Sequence, residues 1–362
     1  MFLPIGVVAF IFILKLYPSQ EAKAGEPIDY AGSAVLIIMV VSMLLGFSWA
    51  GTQYAWLSPQ IIGLFLLSIL ACIAFIRIEQ KVSNPVIPLH LFKNSVFSVS
   101  IVGGMLQGMG MFGLIMYIPF FVQGVMGGSA TASGLVEMIM TLAMVSCSTV
   151  SGHWITKTGK YKWKALIGLL IMAFGLLLNS FLTVESTMLR LVLQLIITGI
   201  GLGMTMPVFN VTVQNAVKHK YLGVATSTMQ VFRQIGATIS VALMGALMAQ
   251  LMSQKIKESG EGTAPPPVDS ELEQLHNPQI LMDASQLEQI RASLPEEAVP
   301  YFEPLIAMLR EALSYSLTGV FLALTFVIVL AFIIVLFLKE IPLKMTNRDE
   351  GEPSAGKTSN ES

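Results

Sequence analysis

Two ionisable residues stand deep inside long apolar stretches, Glu137 about two turns into one and Arg233 about three turns into another. A charge at such depth is costly in hydrocarbon, so it faces a protein interior or a watery cavity and marks a functional site by default. A carboxylate there can carry a proton or meet a cation, and a guanidinium can hold an anion or that same carboxylate. Counting about 1.5 Å per residue puts Glu137 roughly 10 Å, and Arg233 roughly 12 Å, below one surface. Similar depth predicts one shared polar cavity in which the two could pair. Uncharged groups extend it: Gln107 and Gln123 on one stretch, Asn210 and Gln214 on another, and Gln230 and Gln234 flanking Arg233. Residues four apart share a helix face. Such amides would bind a varied organic solute through few directional bonds, with Met, Phe and Tyr117 as adaptable apolar walls. The competing account is hydrogen bonding between helices, which takes a share of these residues.

The elements that must carry these groups are membrane helices. Of the 362 residues, 54% are hydrophobic and only 12% charged, and a soluble domain would carry about twice that charged share. Apolar runs of about 20 residues recur, each long enough to cross a core of roughly 30 Å. About nine spans are expected, near 2–16, 30–50, 60–77, 96–124, 130–152, 163–184, 189–216, 221–252 and 313–338. Pro119 falls near the far end of the fourth, where a kink is expected. Basic residues collect in alternate loops: Lys15 and Lys23, then Arg77, Lys81 and Lys93, then Lys157 to Lys164, then Lys218 and Lys220, then Lys339 and beyond. This is the positive-inside pattern, and it predicts a cytoplasmic C-terminus. The polar segment 253–312 then lies outside; Ser285–Leu294 and Pro304–Leu313 have helical spacing within it, which predicts a small helical cap. The tail after Arg348 reads as disordered.

Other chemistries are disfavoured. The basic residues sit at span ends rather than in one patch, which argues against nucleic acid. Cys72 and Cys147 lie in separate apolar spans and read as buried thiols, not a disulfide framework. His90, His153, His219 and His276 have no metal-ligand spacing, and no metal or cofactor is expected. Gly199, Gly201 and Gly203 follow no strand, so they read as small residues at a close helix contact, like Gly104, Gly108 and Gly113.

Several stretches carry a family likeness. Pro119-Phe-Phe-Val-Gln123 with Gly127, Ser129, Ala132 and Gly134-Leu135 resembles a helix and turn of the EmrB/QacA-type proteins, fourteen-span drug/proton antiporters of the major facilitator superfamily. Gly199-x-Gly201-x-Gly203 with Pro207 is similar to the same family, as are Gly223-x-Ala225 with Arg233-Gln234-x-Gly236 and Asn84-Pro85-x-x-Pro88-Leu89-x-Leu91-Phe92. The loop Gly152-His-Trp-Ile-Thr156-Lys157-Thr-Gly159-Lys160 resembles the superfamily's cytoplasmic gating loop, but Thr156 stands where an Asp is usual. Glu137 stands where an apolar residue is usual, although some relatives that export cationic drugs place an acid on this helix. Leu3-Pro4-Ile5-Gly6 resembles the start of the family's sixth span, so about the first five spans have no counterpart here.

The resemblance implies an all-α polytopic membrane protein: a major facilitator C-terminal half behind two linker spans. Residues 1–16 would be the last span of the N-terminal half, 17–95 the linker spans, 96–338 a six-span bundle including the loop 253–312, and 339–362 a cytoplasmic tail. It also implies proton-driven multidrug efflux across the cell membrane, with lipophilic substrates, cationic ones among them, and the proton gradient as energy source. Glu137 would be the cation or proton site; Gln107, Gln123, Asn210, Gln214, Gln230 and Arg233 would line the cavity, and Gly152, Lys157, Gly159 and Lys160 would gate. The halves rock about a central site in such transporters, so the missing N-terminal half would be a required partner. A same-fold transporter for another solute and a non-transporting remnant are the alternatives.

Overall fold

The structure, a computed structural model, describes residues 6–7, 10–12, 29–51, 53–82, 85–260, 280–282, 284–293 and 299–342. Among them, eight helices are long and apolar enough to cross a membrane. They are α1 (Tyr30–Trp49), α2 (Pro59–Glu79), α3 (Ser95–Pro119), α4 (Ala130–Thr158), α5 (Lys162–Asn179), α6 (Met188–Asn215), α7 (Leu222–Gly260) and, after the short α8 (Ala284–Ser293), α9 (Val299–Leu336). The span expected near 2–16 lies largely outside the described residues.

Helix starts follow from capping chemistry. Asp29, Ser58, Asn94, Ser129 and Thr187 each turn a side-chain oxygen onto a first-turn amide, satisfying a donor that the helix itself cannot. Gly159 ends α4 with φ of +66°, a left-handed cap that glycine adopts without strain. Pro119 lacks an amide hydrogen, and α3 relaxes after it into a π-helical turn over Phe120–Val125, with Met126 N–H reaching back to Phe121 O at 3.0 Å. The expected kink at Pro119 is this change of pitch.

Helices α3, α4, α5, α6, α7 and α9 pack as one bundle, and α1 and α2 pair beside it, with α1 leaning on α7. Between α3 and α7 the chains run side by side, because Gly108 leaves room: a Cβ there would lie 2.6 Å from Arg233 O. Lipid is as apolar as Leu, so close packing, not water exclusion, holds such pairs together. Phe97, Leu114, Phe209, Phe321, Leu324 and Ile328 fill the centre and are fully buried.

Two boundaries differ from the sequence expectation. Helix α7 continues to Gly260 and α9 begins at Val299, so both ends of the expected 253–312 loop are helical. Hydropathy falls where a helix leaves the membrane, but its hydrogen-bond ladder does not stop there. The expected helix over Ser285–Leu294 is α8, whereas Pro304–Leu313 is the start of α9 rather than a separate element. The second difference is at the tail: Lys339 to Pro342 are bonded to the bundle, as described below, and residues beyond Pro342 lie outside the described set.

Candidate functional site

Three helices bring polar groups together inside the bundle. Gln107 on α3 is 2% exposed and donates through Nε2 to Thr205 Oγ1 on α6. Thr205 itself back-bonds to Gly201 O and Leu202 O, so its hydroxyl is fixed. Arg233 on α7 is 5% exposed and reaches Asn210 Oδ1 on α6 and Gln230 Oε1, each at 3.5 Å. Both contacts are at the outer limit for a charge-assisted bond, which is usually about 2.7–2.9 Å. Arg233 Nε and Gln107 Oε1 are buried with no partner. The cluster thus holds a full positive charge, an unused donor and an unused acceptor at the meeting of α3, α6 and α7.

One face of α7 runs from this cluster back to the start of the helix. Gly223, Ser227, Gln230 and Gln234 recur at helical spacing and are all exposed. Near its start, Gln214 of α6, also exposed, donates to Thr226 Oγ1 at 3.1 Å. An amide side chain facing acyl chains is left without partners at a cost of several kcal/mol by analogy with backbone groups, roughly. A stripe of them therefore faces water or other protein.

The remaining predicted residues lie elsewhere. Gln123, on the π-helical turn, donates to Ser133 Oγ at 2.9 Å and ties the end of α3 to the start of α4. Glu137 on α4 is half-buried between the buried Val136 and Met140. It is not paired with Arg233: the ion pairs among the described residues are Lys255–Glu311 and Arg291–Glu303, both at 3.6 Å outside the bundle core. The expected similar depth also fails. Met140 rests on Gly199 of α6, while Arg233 touches Asn210, and those α6 positions differ by roughly 16 Å along the helix at 1.5 Å per residue. The helix starts used for counting, near 130 and 221, agree with the observed Ala130 and Leu222; what counting along single spans leaves out is the axial offset between neighbouring helices, which their packing sets.

The expected gating loop is a helix end and turn. Gly152 and Gly159 meet nothing within 4 Å, Lys157 and Lys160 are exposed, and Thr156 Oγ1 turns back to His153 O at 2.8 Å. Thr156 thus satisfies itself locally and reaches no neighbouring helix. What the sequence reading missed here is Tyr161. Its backbone N–H donates to Glu340 Oε1 at 3.1 Å, and its buried hydroxyl accepts from Ile341 N–H at 2.7 Å. Asn215 Nδ2 donates to Ile341 O and Pro342 O, both at 3.2 Å. The residues after α9 are therefore strapped to the α4–α5 turn and the end of α6. Burial pushes the Tyr161 hydroxyl above its ordinary 10; the Ile341 bond opposes this and the Glu340 carboxylate adds to it. No spacing rule marks such a latch, because its partners are mostly backbone atoms. Thr205 was equally invisible, as one β-branched residue in an apolar span.

The Major Facilitator Superfamily profile matches residues 1–241. The multidrug transporter protein MdtP of Bacillus subtilis (strain 168) is 34% identical over 359 residues, covering 96% of this chain and 64% of that protein. Multidrug resistance protein 3 of the same organism is 28% identical over 343 residues, covering 95% and 65%. An uncharacterized MFS-type transporter of Mycobacterium tuberculosis, Rv1877, is 30% identical over 354 residues and covers 98% of this chain and 48% of its own. The chain thus spans about half to two thirds of the length of these relatives. A crystal structure of a bacterial homolog to the human lysosomal transporter Spinster, inward-facing and unoccupied, superposes with a TM-score of 0.51 at 14% identity, covering 84% of this chain and 68% of that one; this likeness concerns the fold alone.

Proposed function

Because the chain belongs to the major facilitator superfamily, we propose that it supplies the six-helix C-terminal half and two linker helices, α1 and α2, of a fourteen-span drug/proton antiporter of the EmrB/QacA type. In this reading the substrates are lipophilic drugs, cationic ones among them, and export is driven by the proton gradient across the cell membrane. The basic loop ends, and with them the C-terminus, face the cytoplasm, as the lysine alternation indicates. Complementary helices, corresponding to the length by which the relatives exceed this chain, close the other side of the cavity.

The observation that carries this reading is the exposed stripe Gly223, Ser227, Gln230 and Gln234, running past the buried Arg233 and Gln107. These amides are soluble in lipid only at a cost, so they fit a water-filled path between two helical halves. Arg233, held by two long hydrogen bonds and no carboxylate among the described residues, is poised to exchange partners as substrate enters. Glu137, on a helix that α6 covers on one side only, serves as the protonatable group that competes with a cationic substrate. The names of MdtP and multidrug resistance protein 3 support a drug as cargo. A susceptibility panel and ethidium efflux from cells expressing the full gene test the proposal. Efflux that collapses with the proton gradient is expected. Unchanged susceptibility to every cationic drug would remove export of such compounds from the reading.

A further inference from the structure

A second polar site lies at the basic end of the bundle, away from the cluster around Arg233. There a cavity of about 320 Å³ opens between the short turn before α3 and the turn between α6 and α7. His90, Asn94, Lys218, Lys220 and Tyr221 line it over a floor that includes the buried Leu91 and Val217. No acidic residue among the described residues lines it. Its frame is tied: Asn94 caps α3 through Val96 N–H at 2.9 Å and donates to Ala216 O at 2.9 Å, locking the start of α3 to the end of α6. The donors are also placed, since the Lys220 ammonium sits 4.7 Å over the Tyr221 ring and His90 meets that ring edge-on at 5.4 Å. The positive end of the α3 dipole adds to the same field.

From this geometry we infer that the cavity binds a phosphate group, carried by an anionic lipid headgroup or by a soluble phosphate ester. Two ammonium groups supply the charge, and the His90 ring N–H and the Tyr221 hydroxyl supply further donors to a multi-oxygen anion. A basic recess at the end of membrane helices has the charge and depth that such headgroups take. The binding is independent of transport and holds whether or not the export reading stands.

The test uses the purified full chain. Native mass spectrometry counts retained phosphatidylglycerol against phosphatidylcholine, and a thermal-shift titration with glycerol phosphate reads the soluble source. Lys218→Gln with Lys220→Gln should lower binding of the favoured probe by about fivefold per lysine, the size expected for one cationic side chain near a phosphate surface. Lys81→Gln with Lys162→Gln removes the same charge outside the cavity and should leave binding unchanged. Retention of phosphatidylglycerol alone assigns a lipid headgroup; stabilisation by glycerol phosphate alone assigns a soluble ester. If the lysine pair fails to fold, His90→Gln with Tyr221→Phe replaces it, with a loss of several-fold expected. The inference is overturned if neither probe binds, if the cavity variants bind like the parent, or if the control pair loses as much as the cavity pair.

Discussion

Helices α3 and α4 follow one another in the chain, and their most apolar windows have nearly equal mean hydropathy, 1.6 and 1.5, yet they live in different surroundings. Of the most apolar window in the α3 span, 56% of residues are buried; in α4 the share is 17%. The cause is visible in their glycines. On α3, a Cβ at Gly103, Gly108, Gly110 or Gly113 would meet side chains or backbone of α6, α7, α5 and α9, so neighbours close in on every side. On α4, Gly134 and Gly152 face open space, and only the side carrying Ser133, Val136, Met140, Ser151 and Ile155 is covered, mainly by α6. Hydropathy reports that both helices suit lipid; the placement of small residues reports which one sits at the centre. Gln107 on α3 is consequently enclosed and bonded to Thr205 of α6, whereas Glu137 on α4 is half-buried on a helix covered along one side.

The sharpest way to break this comparison is to put the same change on both helices. Gly108→Ala puts a Cβ 2.6 Å from Arg233 O and 2.8 Å from its Cγ and should cost about 1–3 kcal/mol, read as a lower melting temperature and poor accumulation of purified protein. Gly134→Ala meets nothing and should be neutral or slightly stabilising, by up to about 1 kcal/mol from helix propensity. Equal effects would erase the distinction between the helices.

Next in size, Arg233→Gln should reduce efflux by about tenfold without lowering the melting temperature, because a buried charge with two long bonds costs stability as readily as it adds it. A parallel loss of folding would make Arg233 a structural residue instead. Tyr161→Phe tests a fixed network at the basic end. Losing the hydroxyl that accepts from Ile341 N–H should cost about 1 kcal/mol by thermal denaturation. The sign of its pH dependence follows from a raised folded value: the Tyr161 contribution is whole below the ordinary 10 and is lost as pH rises beyond it towards the raised value. The Phe variant should therefore lack one alkaline loss of stability that the parent shows. Smallest, Glu137→Gln should leave folding unchanged and alter the pH profile of efflux, with about a threefold change at one end of it. An unaltered profile would assign proton coupling elsewhere.

Much of this architecture was legible in residue order alone. Apolar runs and the glycines of α3 and α6 each encode a local preference that the structure keeps. Arg233 does reach Gln230, three residues earlier on its own helix, a neighbour that helical spacing alone gives, and Asn210 on α6, a contact that spacing within one helix does not give. Pairing Glu137 with Arg233 failed because lateral position and axial offset depend on which helices touch, and no spacing within one helix encodes that. The strap through Tyr161, Asn215 and Ile341 was missed for a related reason: backbone carbonyls and amides are the same at every position.

The central claim is that the amide stripe of α7 faces water rather than lipid. Single cysteines at Gln230, Gln234 and, as a lipid-facing reference, the exposed Leu170 of α5, in a chain whose Cys72 and Cys147 are Ser, can be challenged in membranes with a water-soluble maleimide. The account predicts rapid labelling at Gln230→Cys and Gln234→Cys, slowed by a saturating lipophilic cation, and none at Leu170→Cys. Labelling at the two α7 positions as slow as at Leu170→Cys would contradict it.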